Sequence, residues 1–246
     1  MFGAVLAVIT SLVLFVYKEI RYIPVALSGD KKKKIEAARQ ALKDISCVFL
    51  KVLGTKVQVI YKDRESFEKL SVDEGIVFVA NHQSNFDIPV ILSGVPMDMG
   101  FVAKYEMEKW PFFSRWMKRG NYIFLNRGNA REGMKSIKKA VEIVKSGYPT
   151  VIFPEGERTV TGEIGNFKKG SFKLALDTEG VIVPMTICGA MDIQKRGELS
   201  IHRNRKVKLI IEKPIYVSEL SLEERKNLSS TVRDIIAENY EGRYFK

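Results

Sequence analysis

The sequence predicts an α/β fold: a mostly parallel or mixed central sheet flanked by helices and preceded by an N-terminal two-helix hairpin. Three observations predict it. Gly75–Ala80, Thr150–Phe153 and Val181–Ile187 are short apolar runs with the length and β-branched content of buried strands. The first two end in dense polar sequences, Asn81–Asp87 and Pro154–Thr159. Other segments place apolar residues at helical spacing, most clearly Ala130–Lys145 and the stretch after Ser221.

At 246 residues the chain can bury a full core, and 46% hydrophobic with 28% charged content is that of an ordinary folded protein. Cys47 and Cys188 lie far apart, outside any CxxC pattern and with no histidine close by in sequence. That excludes a disulfide framework and a locally encoded zinc site, and suits a reducing compartment. The net charge of +11 calls for an anionic partner: a lipid surface, a phosphorylated substrate, an acidic carrier protein or nucleic acid.

Phe2–Tyr17 carries no charge. As a helix rising about 1.5 Å per residue it reaches about 24 Å, short of a hydrocarbon core about 30 Å thick. It has neither a basic leader nor a small-residue cleavage site, which argues against a cleaved signal peptide. Lys18, Arg21 and Lys31–Lys34 follow it. If the helix spans, those charges put the rest of the chain on the cytoplasmic side. Ile35–Leu53 reads as an amphipathic helix, with Ile35, Ala38, Leu42, Ile45, Phe49, Val52 and Leu53 at spacings of mostly three and four. Residues 1–56 hold ten basic side chains against four acidic ones. The expectation is a membrane-anchoring hairpin over 1–56, seated in one leaflet or acting as a single N-terminal anchor, and a main domain over 57–246. A hairpin packed on that domain or against another subunit is the alternative.

Within the main domain, Val57–Tyr61 alternates like a half-exposed strand and Lys62–Glu74 reads as a charged loop. Gly75–Ala80 then leads through Asn81–Asp87 into Ile88–Leu92, a helix whose Pro89 falls in the tolerated first turn. The polar heptapeptide thus sits where a strand ends and a helix begins, the ligand-binding position of α/β sheets. His82 and Asp87 lie five residues apart, close enough for the carboxylate to fold back on the imidazole. A carboxylate on one ring nitrogen fixes the tautomer and leaves the other free to take a proton near neutral pH. A histidine that only ties down a loop is the plainer alternative.

Met99–Ala103 is the next strand, capped by Lys104, and Trp110–Arg119 interleaves aromatic and basic residues. That mixture suits core packing, an acyl-chain groove, a membrane interface or stacked bases. Gly120–Arg127 reads as a strand delivering Arg127, whose guanidinium can hold a phosphate through two parallel hydrogen bonds. Ala130–Lys145 is an amphipathic helix with Met134, Ile137, Val141 and Val144 on its apolar face. After Thr150–Phe153, Glu155 can orient Arg127 or Arg158 or accept from a substrate hydroxyl, and Gly156 permits close backbone approach. Phe167–Asp177 reads as a helix. Pro184 interrupts Val181–Ile187, which makes that run an edge strand or a bulge near the site. Val207–Ile211 adds a strand, and Ser221–Glu224 has capping-box form ahead of a last helix carrying Leu228, Val232, Ile235, Ile236 and Tyr240. His202, in a basic loop, receives no role.

Four blocks now stand in order: Asn81–Asp87 with its H-x4-D spacing, Gly120–Arg127, Phe153-Pro154-Glu155-Gly156, and Ile182-Val183-Pro184. Over residues 57–215 this closely resembles the glycerolipid acyltransferase family, and within it the 1-acyl-glycerol-3-phosphate acyltransferases. The resemblance implies transfer of a fatty acyl group from an acyl carrier protein or coenzyme A thioester to the 2-hydroxyl of lysophosphatidic acid, at an anionic membrane surface and without nucleic acid. It implies His82 as general base oriented by Asp87. It implies glycerol-phosphate binding by Arg127, Glu155 and Gly156, with Pro184 in the site wall. Lys104 and Arg158 join these as further phosphate ligands on the strength of their strand-end positions. Such chemistry needs no metal and no cofactor, and backbone N–H groups at the start of the helix after His82 are candidate oxyanion donors. Three other readings stay open. One is acylation of glycerol-3-phosphate or another lysophospholipid. Another is a Ser84-His82-Asp87 hydrolase, although Ser84 lacks the G-x-S-x-G elbow. The last is a non-catalytic basic protein binding membrane or nucleic acid.

Overall fold

The structure, a computed structural model, describes residues 2–110, 113–126 and 128–241. Its helices are α1 (Phe2–Leu27), α2 (Lys31–Val52), α3 (Arg64–Glu68), α4 (Asp87–Gly94), α5 (Phe113–Arg119), α6 (Ala130–Lys145), α7 (Lys173–Thr178) and α8 (Leu222–Glu238). Its strands are β1 (Lys56–Tyr61), β2 (Ile76–Ala80), β3 (Gly100–Lys104), β4 (Ile123–Leu125), β5 (Thr150–Ile152), β6 (Val181–Cys188), β7 (Lys206–Ile211) and β8 (Ile215–Tyr216).

The strands form one mixed sheet in the order β1-β7-β6-β2-β5-β3-β4, with β8 paired to β6. β6, β2, β5, β3 and β4 are parallel neighbours, while β7 runs antiparallel to β6 and β1 parallel to β7. Strands β2 to β6 therefore leave the sheet at one edge, and β1 and β7 enter there. Every residue of β2 is buried, so the chain emerging from it lands mid-edge. One face packs α2, α4 and α5 through Leu42, Ile91 and Trp116; the other packs α6, α7 and α8 through Val144, Leu174 and Val232. The capping box of α8 forms as expected, Glu224 N–H donating to Ser221 Oγ at 3.3 Å and Ser221 N–H to Glu224 Oε2 at 2.8 Å.

Several expectations need correction. β6 is neither an edge strand nor bulged out of the sheet: it lies between β2 and β7, fully buried. Pro184 is tolerated because its carbonyl points toward β7, accepting from Glu212 N–H at 2.9 Å. Its nitrogen points the same way, at the level where β6 changes partner from β8 to β7, so no bond to β2 is lost. The segment 62–74 is not bare loop but holds α3 and a short 3₁₀ turn. The helix expected over Phe167–Asp177 begins as a 3₁₀ turn at Lys169–Phe172 and becomes α7. Met134 leaves the apolar face of α6 and stands 60% exposed, while Ala140 joins Ile143 and Val144 in the core.

α1 runs ten residues beyond the uncharged stretch because its charges find partners. Lys18 pairs with Asp44, Glu19 accepts from Arg119 at 2.9 Å, and Arg119 lies 4.3 Å over the Tyr22 ring. Its outer side stays apolar: Ile9, Leu12, Val13, Val16, Ile20 and Ile23 are half or more exposed. No helix among the described residues is long and apolar enough to cross a membrane. α2 shares one core with the sheet, burying Ile35, Ala38, Leu42 and Ile45. Arg39, one of the cations counted toward the basic hairpin, is itself buried. Its guanidinium donates to Gly120 O at 2.9 Å and to Asp98 O and Pro149 O at 3.2 Å, tying α2 to the entries of β4, β3 and β5. The Trp110–Arg119 stretch divides: Trp116 and Met117 are core, while Trp110 and Phe113 are exposed.

Candidate active site

The loop leaving β2 builds its own frame. Asp87 opens α4, and its Oδ2 accepts from Gln83 N–H at 2.7 Å and Ser84 N–H at 2.9 Å. The same oxygen lies 2.7 Å from His82 Nδ1. A carboxylate so placed takes the Nδ1 proton and leaves the lone pair on Nε2. Asp87 is fully buried, whereas the His82 side chain keeps 18% of its surface open. The imidazole stacks on Phe153, ring centroids 4.2 Å apart, so β5 fixes the plane of the ring that β2 delivers. Asn81 anchors the loop to β6, donating to Ile187 O at 3.0 Å and accepting from Ile187 N–H at 2.8 Å.

Glu155 is given a scaffolding task. Its Oε1 accepts from His82 N–H at 2.7 Å and its Oε2 from Gly165 N–H at 2.9 Å, so each carboxylate oxygen holds a backbone amide. Burial raises the Glu155 carboxyl above the ordinary range, and the two N–H bonds pull against it. Gly156 has φ 84, a left-handed conformation that suits glycine, and its N–H closes a turn on Phe153 O at 3.0 Å.

Lys104 ends β3 as an exposed cation. Together with Arg196, the largest influence, and Lys168, it draws the Glu157 carboxyl below the usual range. The carbonyl of Arg158 accepts from Arg196 Nη1 at 2.7 Å, and its guanidinium has no carboxylate partner among the described residues. Lys104, Arg158 and the His82–Asp87 loop thus share one sheet edge. Pro184, expected in the site wall, is buried inside β6 in register with Val79, three residues before His82. Arg127 lies outside the described residues.

The reading of Ser84 as a nucleophile changes. Ser84 Oγ donates to Gln194 O at 2.7 Å and accepts from Phe86 N–H at 3.3 Å, which ties it to the loop after β6 rather than to His82. Ahead of the helix after His82 the N–H groups of Gln83 and Ser84 are committed to Asp87, and at its start the Asp87 N–H donates to Ser84 O.

The largest omission from the sequence reading is Tyr240, just past α8. Its Oη accepts from Gln83 Nε2 at 2.6 Å and donates to Gly162 O, while Gln83 Oε1 accepts from Ala190 N–H at 3.1 Å. Arg233 on α8 adds a bond to Gly165 O at 3.1 Å. The available signal was the polar run after β2, in which nearly every side chain has a partner.

Residues 58–188 match the family model described as Acyltransferase. The chain is 35% identical to a chloroplastic 1-acyl-sn-glycerol-3-phosphate acyltransferase of Brassica napus, over 72% of this chain and 50% of that protein. It is 31% identical to a Mycoplasma pneumoniae protein named "Probable 1-acyl-sn-glycerol-3-phosphate acyltransferase", over 78% of this chain and 74% of that one. This chain therefore spans about half the length of the plant relative. Among solved structures, the 1-acyl-sn-glycerophosphate acyltransferase PlsC from Thermotoga maritima superposes with a TM-score of 0.73. It is 26% identical, covering 94% of this chain and 95% of that one.

Proposed function

Because the chain belongs to the acyltransferase family, we propose that it transfers a fatty acyl group from an acyl carrier protein or coenzyme A thioester to the 2-hydroxyl of 1-acyl-glycerol-3-phosphate, forming phosphatidic acid. The observation that carries the reading is the 2.7 Å contact between His82 Nδ1 and a fully buried Asp87 at the exit of the central strand. With Nδ1–H donated to Asp87, Nε2 takes the proton of the acceptor hydroxyl as its oxygen attacks the thioester carbonyl. The tetrahedral intermediate collapses with cleavage of the C–S bond, and the proton on Nε2 passes to the leaving thiolate. Asp87 stabilises the transient imidazolium and keeps its tautomer. The hydrogen bonds that commit Ser84 elsewhere favour this direct transfer over an acyl-enzyme. Arg158, Lys104 and Arg127 bind the acceptor phosphate in this proposal, Arg through a planar fork and Lys as a point charge.

The exposed aliphatic side of α1, with the exposed Phe113 packed on Phe15, supports a monotopic seat on the membrane with the catalytic domain on the cytoplasmic side. Replacing Val13, Val16 and Ile20 with Asp removes co-flotation with liposomes under this reading, and undiminished flotation would sink it.

The function is tested with purified protein, acyl thioester and a panel of acceptors. His82→Ala lowers turnover about a thousandfold, within the usual reach of general base catalysis. Near wild-type turnover in that variant, or an acyl adduct on Ser84 in quenched enzyme, overturns the mechanism. In the same panel, Arg158→Ala or Lys104→Ala raises KM for phosphate-bearing acceptors about tenfold, the scale of a charge-assisted hydrogen bond. An equal loss with acceptors lacking phosphate refutes that role.

A further inference from the structure

The edge that carries His82 is also where β7 and β1 begin, and the loop feeding β7 is the most basic segment there. Between Lys195 and Lys206 it carries Lys195, Arg196, Arg203, Arg205 and Lys206 against the single carboxylate of Glu198. Lys195, His202, Arg205 and Lys206 line a surface depression of about 380 Å³, with Asp192 the one carboxylate in its lining among the described residues. At the tip of the loop Leu199 is 95% exposed. Arg196 then bonds Glu157 Oε2 at 2.7 Å and so joins this loop to the one after β5, where Val160 is 74% exposed. The loop also abuts the catalytic segment, since Gln194 accepts from Ser84 Oγ at 2.7 Å and from Asn85 Nδ2 at 3.3 Å.

We infer that the 195–206 loop is a second lipid contact, separate from α1, in which the basic depression takes the phosphate of an anionic phospholipid headgroup and Leu199 enters the interface. A lone exposed leucine is ordinary. An aliphatic tip flanked by five cations is the pattern of a segment that sits at a bilayer surface, where each cation adds attraction to anionic lipid. The geometry agrees. α1 meets α5 with Phe15 on Phe113 and Glu19 on Arg119, and α5 runs from the exit of β3 toward the entry of β4. The N-terminal half of α1 therefore points toward the same edge as the loop. Two contacts on either side of His82 would hold that edge against the membrane, the direction from which a lipid acceptor comes. The choice of a lipid over other phosphate esters rests on the acyl-transfer reading.

The test uses the full chain with Cys47→Ser and Leu199→Cys, labelled at residue 199 with an environment-sensitive fluorophore, so turnover plays no part. With phosphatidylcholine vesicles containing phosphatidylglycerol the emission shifts to the blue, and with phosphatidylcholine alone it shifts much less. Lys195→Ala and Arg205→Ala each lower partitioning to the anionic vesicles about fivefold, the equivalent of about 1 kcal/mol per cation. A label that stays silent while the protein floats with the vesicles overturns the proposal. So does a label that responds to soluble acyl-coenzyme A without vesicles, which would make the depression a donor site.

Discussion

Loop 81–87 and loop 156–166 leave neighbouring strands, β2 and β5, at one sheet edge, yet they are held in different ways. The first carries its own stays: Asp87 gathers two N–H groups and the imidazole from within five residues, and Asn81 grips β6 directly. The second is held from outside. Gly165 hangs on Glu155 and Arg233, Gly162 on Tyr240, and Arg158 on Arg196. Thr159 N–H joins the two loops by donating to His82 O at 2.9 Å. The base is thus preorganised by local chemistry, which lets it act without the cost of reordering. The neighbouring loop has one bond of this kind, Gly162 N–H to Thr159 Oγ1 at 3.0 Å, but leans more on α8 and the 194–198 segment. Damage inside the first loop should therefore reach the chemical step, and damage to the stays of the second should appear as looser positioning.

The sharpest way to break that contrast is Asp87→Asn. Asp87 Oδ2 alone meets Gln83 N–H, Ser84 N–H and His82 Nδ1, so an amide there either keeps its oxygen on all three and loses the charge that stabilises the imidazolium, or turns its NH₂ to Nδ1 and reverses the tautomer at the cost of both N–H bonds. Either way we expect kcat to fall steeply, by up to about 10⁴-fold where the correct tautomer is lost, as in other histidine bases. A fall under tenfold would show that Asp87 only pins the loop. Glu155→Gln comes next. One amide oxygen cannot serve both His82 N–H and Gly165 N–H, so one buried donor meets another donor, at about 1–3 kcal/mol of stability. Because the strained bond lies beside His82, kcat falls about tenfold while KM for the acceptor changes less. A rise in KM alone, with kcat intact, would return Glu155 to the substrate-binding role that the sequence suggested.

What the sequence revealed, and what it hid, follows the same division. The dyad was legible because its partners lie five residues apart across a strand-to-helix junction, a spacing that composition displays. Strands β2, β5 and β6 were legible from short apolar, β-branched runs, the first two ending at polar residues. The interior position of β6 was not, because Pro184 forbids it unless β6 changes partner strand at that level, and only the sheet order shows that it does. Glu155 holds backbone amides, which every residue has, so no side-chain pattern could reveal its partners. Arg39 meets carbonyls 59, 81 and 110 residues away, and a buried guanidinium looks in sequence like any cation on a basic helix. Gln83 and Tyr240 are 157 residues apart and meet only after the sheet brings the chain end back to its centre.

That last pair gives the gentlest test. Tyr240→Phe keeps the ring and removes the hydroxyl, leaving Gln83 Nε2 and Gly162 O without that partner. The cost is about 1 kcal/mol of stability, as for a typical part-buried hydrogen bond, with turnover reduced less than about threefold. The variant also carries a pH signature that simple loss of packing lacks. Burial pushes the Tyr240 phenol from 10.0 up to about 12, although the Gln83 bond opposes the shift. The folded state holds the phenolic proton more tightly than the unfolded chain does. The stabilisation is therefore complete below pH 10 and is lost as pH rises through about 12. Phenylalanine has no such proton, so the stability gap between wild type and variant, read from urea midpoints, narrows across that window. A gap that stays constant from neutral pH to beyond that window would mean that the hydroxyl does not hold Gly162, and that loop 156–166 keeps its shape without α8.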